Sequence, residues 1–329
     1  MTALAPTLEL FFTQRLISQH HASPHTVAAY RDTFRLLLGF VHDTTGTPPA
    51  RLQIEDVDAP LIGAFLQHLE RDRGSAISTR NARLAAVRSF FRFAALRHPE
   101  HAALIQRVLA IPAKRTHRGL VSFLTRSEID ALLAAPDRST QTGRRDHALL
   151  VVAIQTGLRV SELVAVRRRD VELRPGGYLH CTGKGRKDRC TPLSAHTRAV
   201  LRVWLKECAD CPDAPVFPGP RGDLLGRDAV RRLIAKHAAT AAQTCPSIAT
   251  KNVSPHVTRH SCAMLLLHAG VDTSTIALWL GHESTRTTDA YLSADLELKE
   301  RALARTRPAN TTPGRYHPPD TLLAFLESL

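Results

Sequence analysis

A break in the hydrophobic pattern divides this chain in two. From Ile111 to Ser122 it carries Pro112, Gly119 and the basic cluster Lys114, Arg115, His117 and Arg118, with almost nothing apolar to bury. Periodic apolar sequence runs on both sides, and Thr125-Arg126-Ser127-Glu128 has the capping-box pattern that opens a helix. A charged stretch punctuated by Pro and Gly between two such segments reads as a linker. The pattern predicts a first domain over 1–110, a basic linker over 111–122 and a second domain over 123–304, with the boundary near residue 118. A length of 329 residues suits two domains at roughly 100–200 residues each. An apolar share of 43% with 22% charged residues is enough to build cores and excludes a disordered chain.

The first domain reads as helices only. Leu8 to Ile17 is a short apolar-periodic segment. Ser23 caps a helix with Pro24 in its first turn, on which Val27, Tyr30, Phe34, Leu37 and Val41 recur at helical spacing. Asp58 to Leu69 predicts a third helix, with Leu61, Phe65 and Leu69 on one face. Ser78 is placed as the cap of a fourth, which turns Leu84, Val87, Phe91 and Ala94 inward. Its opposite face holds Arg80, Arg83, Arg88 and Arg92, a basic stripe that suits a DNA backbone or plain solvent equally well. Lys114, Arg115 and Arg118 of the linker are candidate phosphate contacts on the same ground.

The second domain is mostly helical with one β signal. Tyr178 to Thr182 and Arg189 to Leu193 flank the turn Gly183-Lys184-Gly185-Arg186-Lys187-Asp188 and read as a hairpin. Helices are predicted at 195–208, 227–241, 256–268, 273–280 and 284–291. Residues 305–320, rich in Pro, Thr and Arg, read as an irregular tail. Leu322, Leu323, Phe325, Leu326 and Leu329 fit one short amphipathic helix after it. The fold class is therefore mainly α, with a small β-hairpin in the second domain.

Charge narrows the function. A net charge of +14 and a sequence pI near 10.2 call for a polyanionic partner, because neutralising phosphates releases condensed counterions. The charge is spread along the chain rather than gathered on one amphipathic segment, which favours nucleic acid over a membrane surface. No apolar run approaches the roughly 18 residues of a membrane span. Met1 to Phe12 carries Glu9 and no basic residue, so it does not read as a secretory signal and the expected address is the cytoplasm. The six cysteines, Cys181, Cys190, Cys208, Cys211, Cys245 and Cys262, form no tight framework and read as reduced thiols. Cys208-Ala-Asp-Cys211 lacks two of four zinc ligands, with Cys245 or His237 the candidates to complete it; a loop with two free thiols is the simpler reading.

Several polar residues lie outside these patterns. In Thr156-Gly157-Leu158-Arg159-Val160-Ser161-Glu162-Leu163 one helix ends at a glycine and the next begins, placing Arg159 beside a helix N-terminus that suits an anion, or a pair with Glu162. Lys184 and Lys187 sit at the glycine-flanked hairpin tip, which lacks the spacing of a Walker loop and gives no support to ATP use. Ser254-Pro255-His256-Val257-Thr258-Arg259-His260 opens a helix, and Val257 stands where a zinc-protease helix needs Glu. Leu280-Gly281-His282-Glu283 precedes Tyr291 by nine residues from His282.

Taken in order, Arg159, Lys184, His256, Arg259, His282 and Tyr291 in these strings resemble the tyrosine recombinases, the phage integrases and Xer-type enzymes. The likeness spans roughly residues 5–300. It implies a two-domain DNA clamp: a helical, SAM-like core-binding domain and a mixed α/β catalytic domain. Tyr291 would attack a phosphodiester, leaving a 3′-phosphotyrosyl bond and a free 5′-hydroxyl. The resemblance gives His256 the base role, His282 a hydrogen bond to a phosphate oxygen, and Lys184 the proton for the departing 5′ oxygen. Two guanidinium forks, Arg159 and Arg259, suit the added negative charge of the phosphorane-like state. Neither metal, cofactor nor ATP is then required. Tyr30 lies on an apolar stripe, Tyr178 starts a strand and Tyr316 falls in the tail, so each is a poorer nucleophile than Tyr291.

The implied partners are a double-stranded recombination site, other copies of the chain in a tetrameric synapse (monomer or dimer off DNA), and accessory DNA-bending proteins or a second recombinase. Departures from the family pattern are Thr258, a modest insertion over Ala241 to Val253, and the 38 residues after Tyr291. Either Leu296 to Ala304 or Thr321 to Leu329 is a candidate for docking on a neighbouring protomer. The alternatives are a type IB topoisomerase-like relaxing enzyme and a DNA-binding protein of the same fold without activity.

Overall fold

The computed structural model describes residues 2–116, 121–183 and 188–281. The chain divides into two compact units, Met1–Arg118 and Gly119–Leu329. It is mainly helical, and among the described residues its sheet is one two-stranded hairpin.

In the first unit α1 (Leu4–Leu10) continues into π-helical turns over Phe11–Gln19, earlier and longer than the expected Leu8 start. Helix α2 (Pro24–Thr45) begins as expected: Ser23 Oγ accepts the Thr26 N–H at 3.2 Å, with Pro24 in the first turn, where its missing N–H costs nothing. Asp58 caps α3 (Ala59–Arg71) through the Leu61 N–H at 2.9 Å. Helix α4 (Ile77–Ala95) starts one residue before Ser78, from Ala76, so Ser78 lies inside the helix and caps nothing. Helix α5 (Ala102–Ala110) was not anticipated, because its apolar residues Leu104, Ile105, Val108 and Leu109 span barely two turns. The core these helices share is aromatic: Phe11, Phe34, Phe90 and Phe91 are buried, and the Phe34 and Phe90 rings meet edge-on at 5.4 Å.

Both described ends of the linker are fastened. Asn81 Nδ2 donates to the Lys114 carbonyl at 2.8 Å, and Lys114 Nζ to Glu70 Oε2 at 2.7 Å. Beyond it, the Leu124 N–H reaches Ser261 Oγ at 2.8 Å and Lys251 Nζ donates to the Phe123 carbonyl at 2.9 Å.

In the second unit the Thr125–Glu128 capping box opens α6 (Arg126–Ala134) as expected. Helices α7 (Gln141–Thr156) and α8 (Val160–Ala165) follow. Strands β1 (Tyr178–Thr182) and β2 (Asp188–Pro192) pair antiparallel, Tyr178 opposite Pro192 and Thr182 opposite Asp188, one residue earlier on β2 than expected. Helix α9 (Ala195–Trp204) tightens into a 3₁₀ turn at Leu205–Glu207. Then come α10 (Arg227–Ala241), α11 (Pro255–His268) and α12 (Thr273–Leu280). The main core joins Leu149, Leu150 and Val152 of α7 to Leu201, Trp204, Phe217 and Ile234, and Met264, Ile276 and Leu280 form a smaller cluster under α11 and α12. The expected 284–291 helix, the irregular tail and the terminal amphipathic helix lie outside the described residues.

Candidate active site

The site is assembled where four helix ends meet. Gly157 closes α7 in the left-handed region at φ 64°, and its N–H bonds the Ala153 carbonyl. A side chain there is strained, both by the positive φ and because a Cβ would lie 2.5 Å from Leu280 Cδ2. Two residues later Arg159 stands at the N-terminus of α8, where Glu162 Oε2 accepts its backbone N–H at 2.8 Å. Ser254 Oγ accepts the Val257 N–H at 3.4 Å, capping α11, so His256 and Arg259 fall in its first two turns. Helix α12 ends at Gly281, also left-handed at φ 65°.

Two arginines tie these ends together. Arg259, 4% exposed, donates from Nη1 to the Gly157 carbonyl at 2.6 Å and from Nη2 to the Leu280 carbonyl at 2.7 Å. Arg159 donates from Nη2 to the next carbonyl, Gly281, at 2.9 Å, and from Nη1 to Glu162 Oε1 at 2.9 Å. Two guanidinium groups from strings a hundred residues apart are thus seated on successive carbonyls, directly before His282 in the chain. The pairing of Arg159 with Glu162, weighed above as an alternative to anion binding, is present. His256 is exposed beside them, and its ring lies 6.4 Å from that of His260 one turn on. Lys184, His282 and Tyr291 lie outside the described residues.

Sequence reasoning gave Glu162 a pairing with Arg159 but passed over Arg189. Arg189 on β2 holds Glu162 with both terminal nitrogens, Nη2 to Oε2 at 2.7 Å and Nη1 to Oε1 at 3.1 Å. Burial raises the pKa of Glu162, but bonds from Arg189 and the Arg159 backbone outweigh it and hold the carboxyl below its ordinary value. The signal was available in an acid placed three residues after Arg159, though nothing local points to a partner 27 positions away.

The basic stripe of α4 is not one surface. Arg80 is buried, its Nε 3.3 Å from Glu70 Oε1 and its Nη1 donating to the Pro112 carbonyl at 3.1 Å. This corrects the reading of Arg80 as part of an open face: it closes α3 and α4 over the start of the linker. Arg88 is half-buried and donates to the Ile111 carbonyl; Arg83 is half-buried too. Arg92, Lys114 and Arg115 are exposed, and Arg118 lies outside the described residues. Tyr30 is half-buried and stacks on Phe11 at 6.2 Å, which fits its core reading. His237 is buried, its Nε2 2.9 Å from Asp146 Oδ2. Burial pushes the Cys208 thiol up to about 11, so it stays protonated at neutral pH. No helix among the described residues is long and apolar enough to cross a membrane.

Comparison with known proteins agrees with this geometry. Residues 122–297 match the phage integrase family and residues 10–98 the N-terminal SAM-like domain of phage integrases. An integrase/recombinase of Sinorhizobium fredii, y4rC, is 55% identical over 99% of this chain and 98% of its own length. The tyrosine recombinase XerC of Pelobacter propionicus is 33% identical over 92% of this chain and 95% of its own. Among solved structures, XerH in a post-cleavage complex with its palindromic difH substrate has a similar fold, with a TM-score of 0.68 at 20% identity over 87% of this chain and 81% of that one. A lambda integrase dimer bound to a COC′ core site gives 0.64 at 18% identity over 94% and 81%. These likenesses favour neither a topoisomerase nor an inactive binding protein. The chain belongs to the phage integrase family and is a tyrosine-type site-specific DNA recombinase.

Proposed function

We propose that this recombinase cuts and rejoins each strand of a specific duplex site through a covalent bond between Tyr291 and a 3′-phosphate, with Arg159, Lys184, His256, Arg259 and His282 completing the site. The observation that carries this reading is the seating of Arg159 and Arg259 on the successive carbonyls of Leu280 and Gly281. Guanidinium groups held at fixed positions meet developing phosphorane charge without reorganising, which is where electrostatic catalysis gains most. They supply the charge neutralisation that metal ions give other nucleases.

The Tyr291 phenol, with an ordinary pKa of about 10, must lose its proton as it attacks, and the exposed His256 imidazole is the base. Lys184 protonates the departing 5′ oxygen, and His282 bonds a nonbridging oxygen. The phosphotyrosyl ester conserves the bond energy, so a 5′-hydroxyl from a partner duplex reverses the step and completes exchange. Exchange between two duplexes calls for four protomers, two on each site, and the exposed Arg92, Lys114 and Arg115 are placed among the backbone contacts. The protein acts in the cytoplasm, on the nucleoid.

The test is a nicked suicide duplex built from DNA flanking the gene, incubated without metal or ATP and resolved on a denaturing gel. Wild type is expected to leave a protein–DNA adduct and Tyr291→Phe none. An adduct that survives Tyr291→Phe overturns the assignment of the nucleophile.

A further inference from the structure

We propose that Arg189 is a positioning residue for cleavage: from strand β2 it fixes the Glu162 carboxylate, and through it the plane in which Arg159 presents its guanidinium. This rests on the reading that Arg159 neutralises charge at the scissile phosphate. The contacts form a continuous chain. Arg189 takes both Glu162 oxygens, Arg159 takes Oε1 of the same carboxylate, and Arg159 also holds the Gly281 carbonyl. Arg189 also lies close to Gly281, where a Cβ would be 2.7 Å from its Nη1.

Each link has a physical reason to be rigid. Arg159 takes one bond at each Glu162 oxygen, Nη1 to Oε1 and the backbone N–H to Oε2, but both come from the same helix turn and move with it. Arg189 adds a second bond at each oxygen from strand β2, because a planar fork meets both oxygens at once, and so fixes the carboxylate from outside the helix. Its side chain is 13% exposed and that of Glu162 4%, so water competes weakly for these bonds. A lysine at 189 keeps the charge but offers one point donor, and the two-point hold from β2 is lost. The same guanidinium lies close beside Gly281, the residue preceding His282. Strand β2 is therefore joined to α8, next to Arg159, by a single side chain that touches no DNA in this reading.

The test measures single-turnover cleavage by wild type, Arg189→Lys and the neutral Arg189→Gln, each checked first for cooperative melting and duplex affinity. Arg189→Lys is expected to melt and bind as wild type does, while cleavage slows by about 10²-fold, the usual cost of a displaced catalytic group. On a duplex whose scissile phosphate is a methylphosphonate, which lacks one nonbridging charge, the loss is expected to shrink to about threefold or less, because misaligning Arg159 then matters less. A merely structural part in the fold slows both substrates alike and overturns the proposal. Rescue instead by a 5′-bridging phosphorothiolate, whose sulfur departs without a proton, assigns Arg189 to the hairpin and Lys184 and overturns it too. So does a failure of both variants to melt cooperatively. A wild type that leaves no Tyr291 adduct overturns the strand-transfer reading and this proposal together, whereas an intact wild-type adduct with an unchanged Arg189→Lys rate overturns this proposal alone.

Discussion

Burial lowers the pKa of His260 from 6.5 to about 4, and the neighbouring His256 and Arg259 push the same way. Its imidazole is neutral at pH 7. Because the unfolded chain binds this proton near pH 6.5 and the folded one only near 4, stability is whole above pH 6.5 and is lost as pH falls from 6.5 to 4. One proton gives a slope of about 1.4 kcal/mol per pH unit in that window. His260→Gln is expected to flatten the fall, as read from urea unfolding at pH 6.5 and 4.5; equal slopes in wild type and variant would refute it. Residue identities of this kind are poorly legible beforehand. His260 and Arg80 read in the sequence as polar groups on helices, and each is set by what packs against it. Arg80 sits in the charged stripe of α4 by periodicity, yet Glu70 on α3 draws it inward. Charge alone does not say which arginines face water, since a guanidinium with a carboxylate and a carbonyl to bond can be buried at small cost.

At the scale of elements, junctions matter more than helix interiors. Gly157 joins α7 to α8 at a left-handed angle, under Leu280 and with Cys262 Sγ 3.0 Å from where a Cβ would be. Gly157→Ala is expected to cost about 2–4 kcal/mol, combining left-handed strain with overpacking, and to lower the urea midpoint accordingly. Cleavage should fall as well, because the Gly157 carbonyl seats Arg259. A midpoint within error of wild type would show that the loop relaxes freely. Two caps were readable: Ser23 and Thr125 accept the N–H bonds that their type and spacing promise. Asp58 and Ser254, read only as lying where helices open, cap them in the same way. Ser78 misled because Ser-Thr-Arg-Asn resembles a cap, while the turn at Ala76 had already begun the helix. Helix α5 was missed because nine residues carry too few periods to separate it from a loop.

For the whole molecule, +14 charges set a strong expectation about DNA. If six or more phosphates are contacted, duplex affinity should fall by about 10³-fold or more between 50 and 200 mM salt. Fluorescence anisotropy across that range checks it, and a nearly flat response would argue against a backbone-driven interface. The sequence by itself determined the helical class, the division near residue 118, the hairpin and the ordered set of motif residues. Those features depend on local period, capping chemistry and spacing, which a chain carries wherever it folds. Only the tertiary structure decided that Arg159 and Arg259 share the carbonyls of residues 280 and 281, that Arg189 fixes Glu162, and that Arg80 is buried. Such contacts join positions from 10 to 122 residues apart, and no local pattern encodes a partner that packing alone brings within reach.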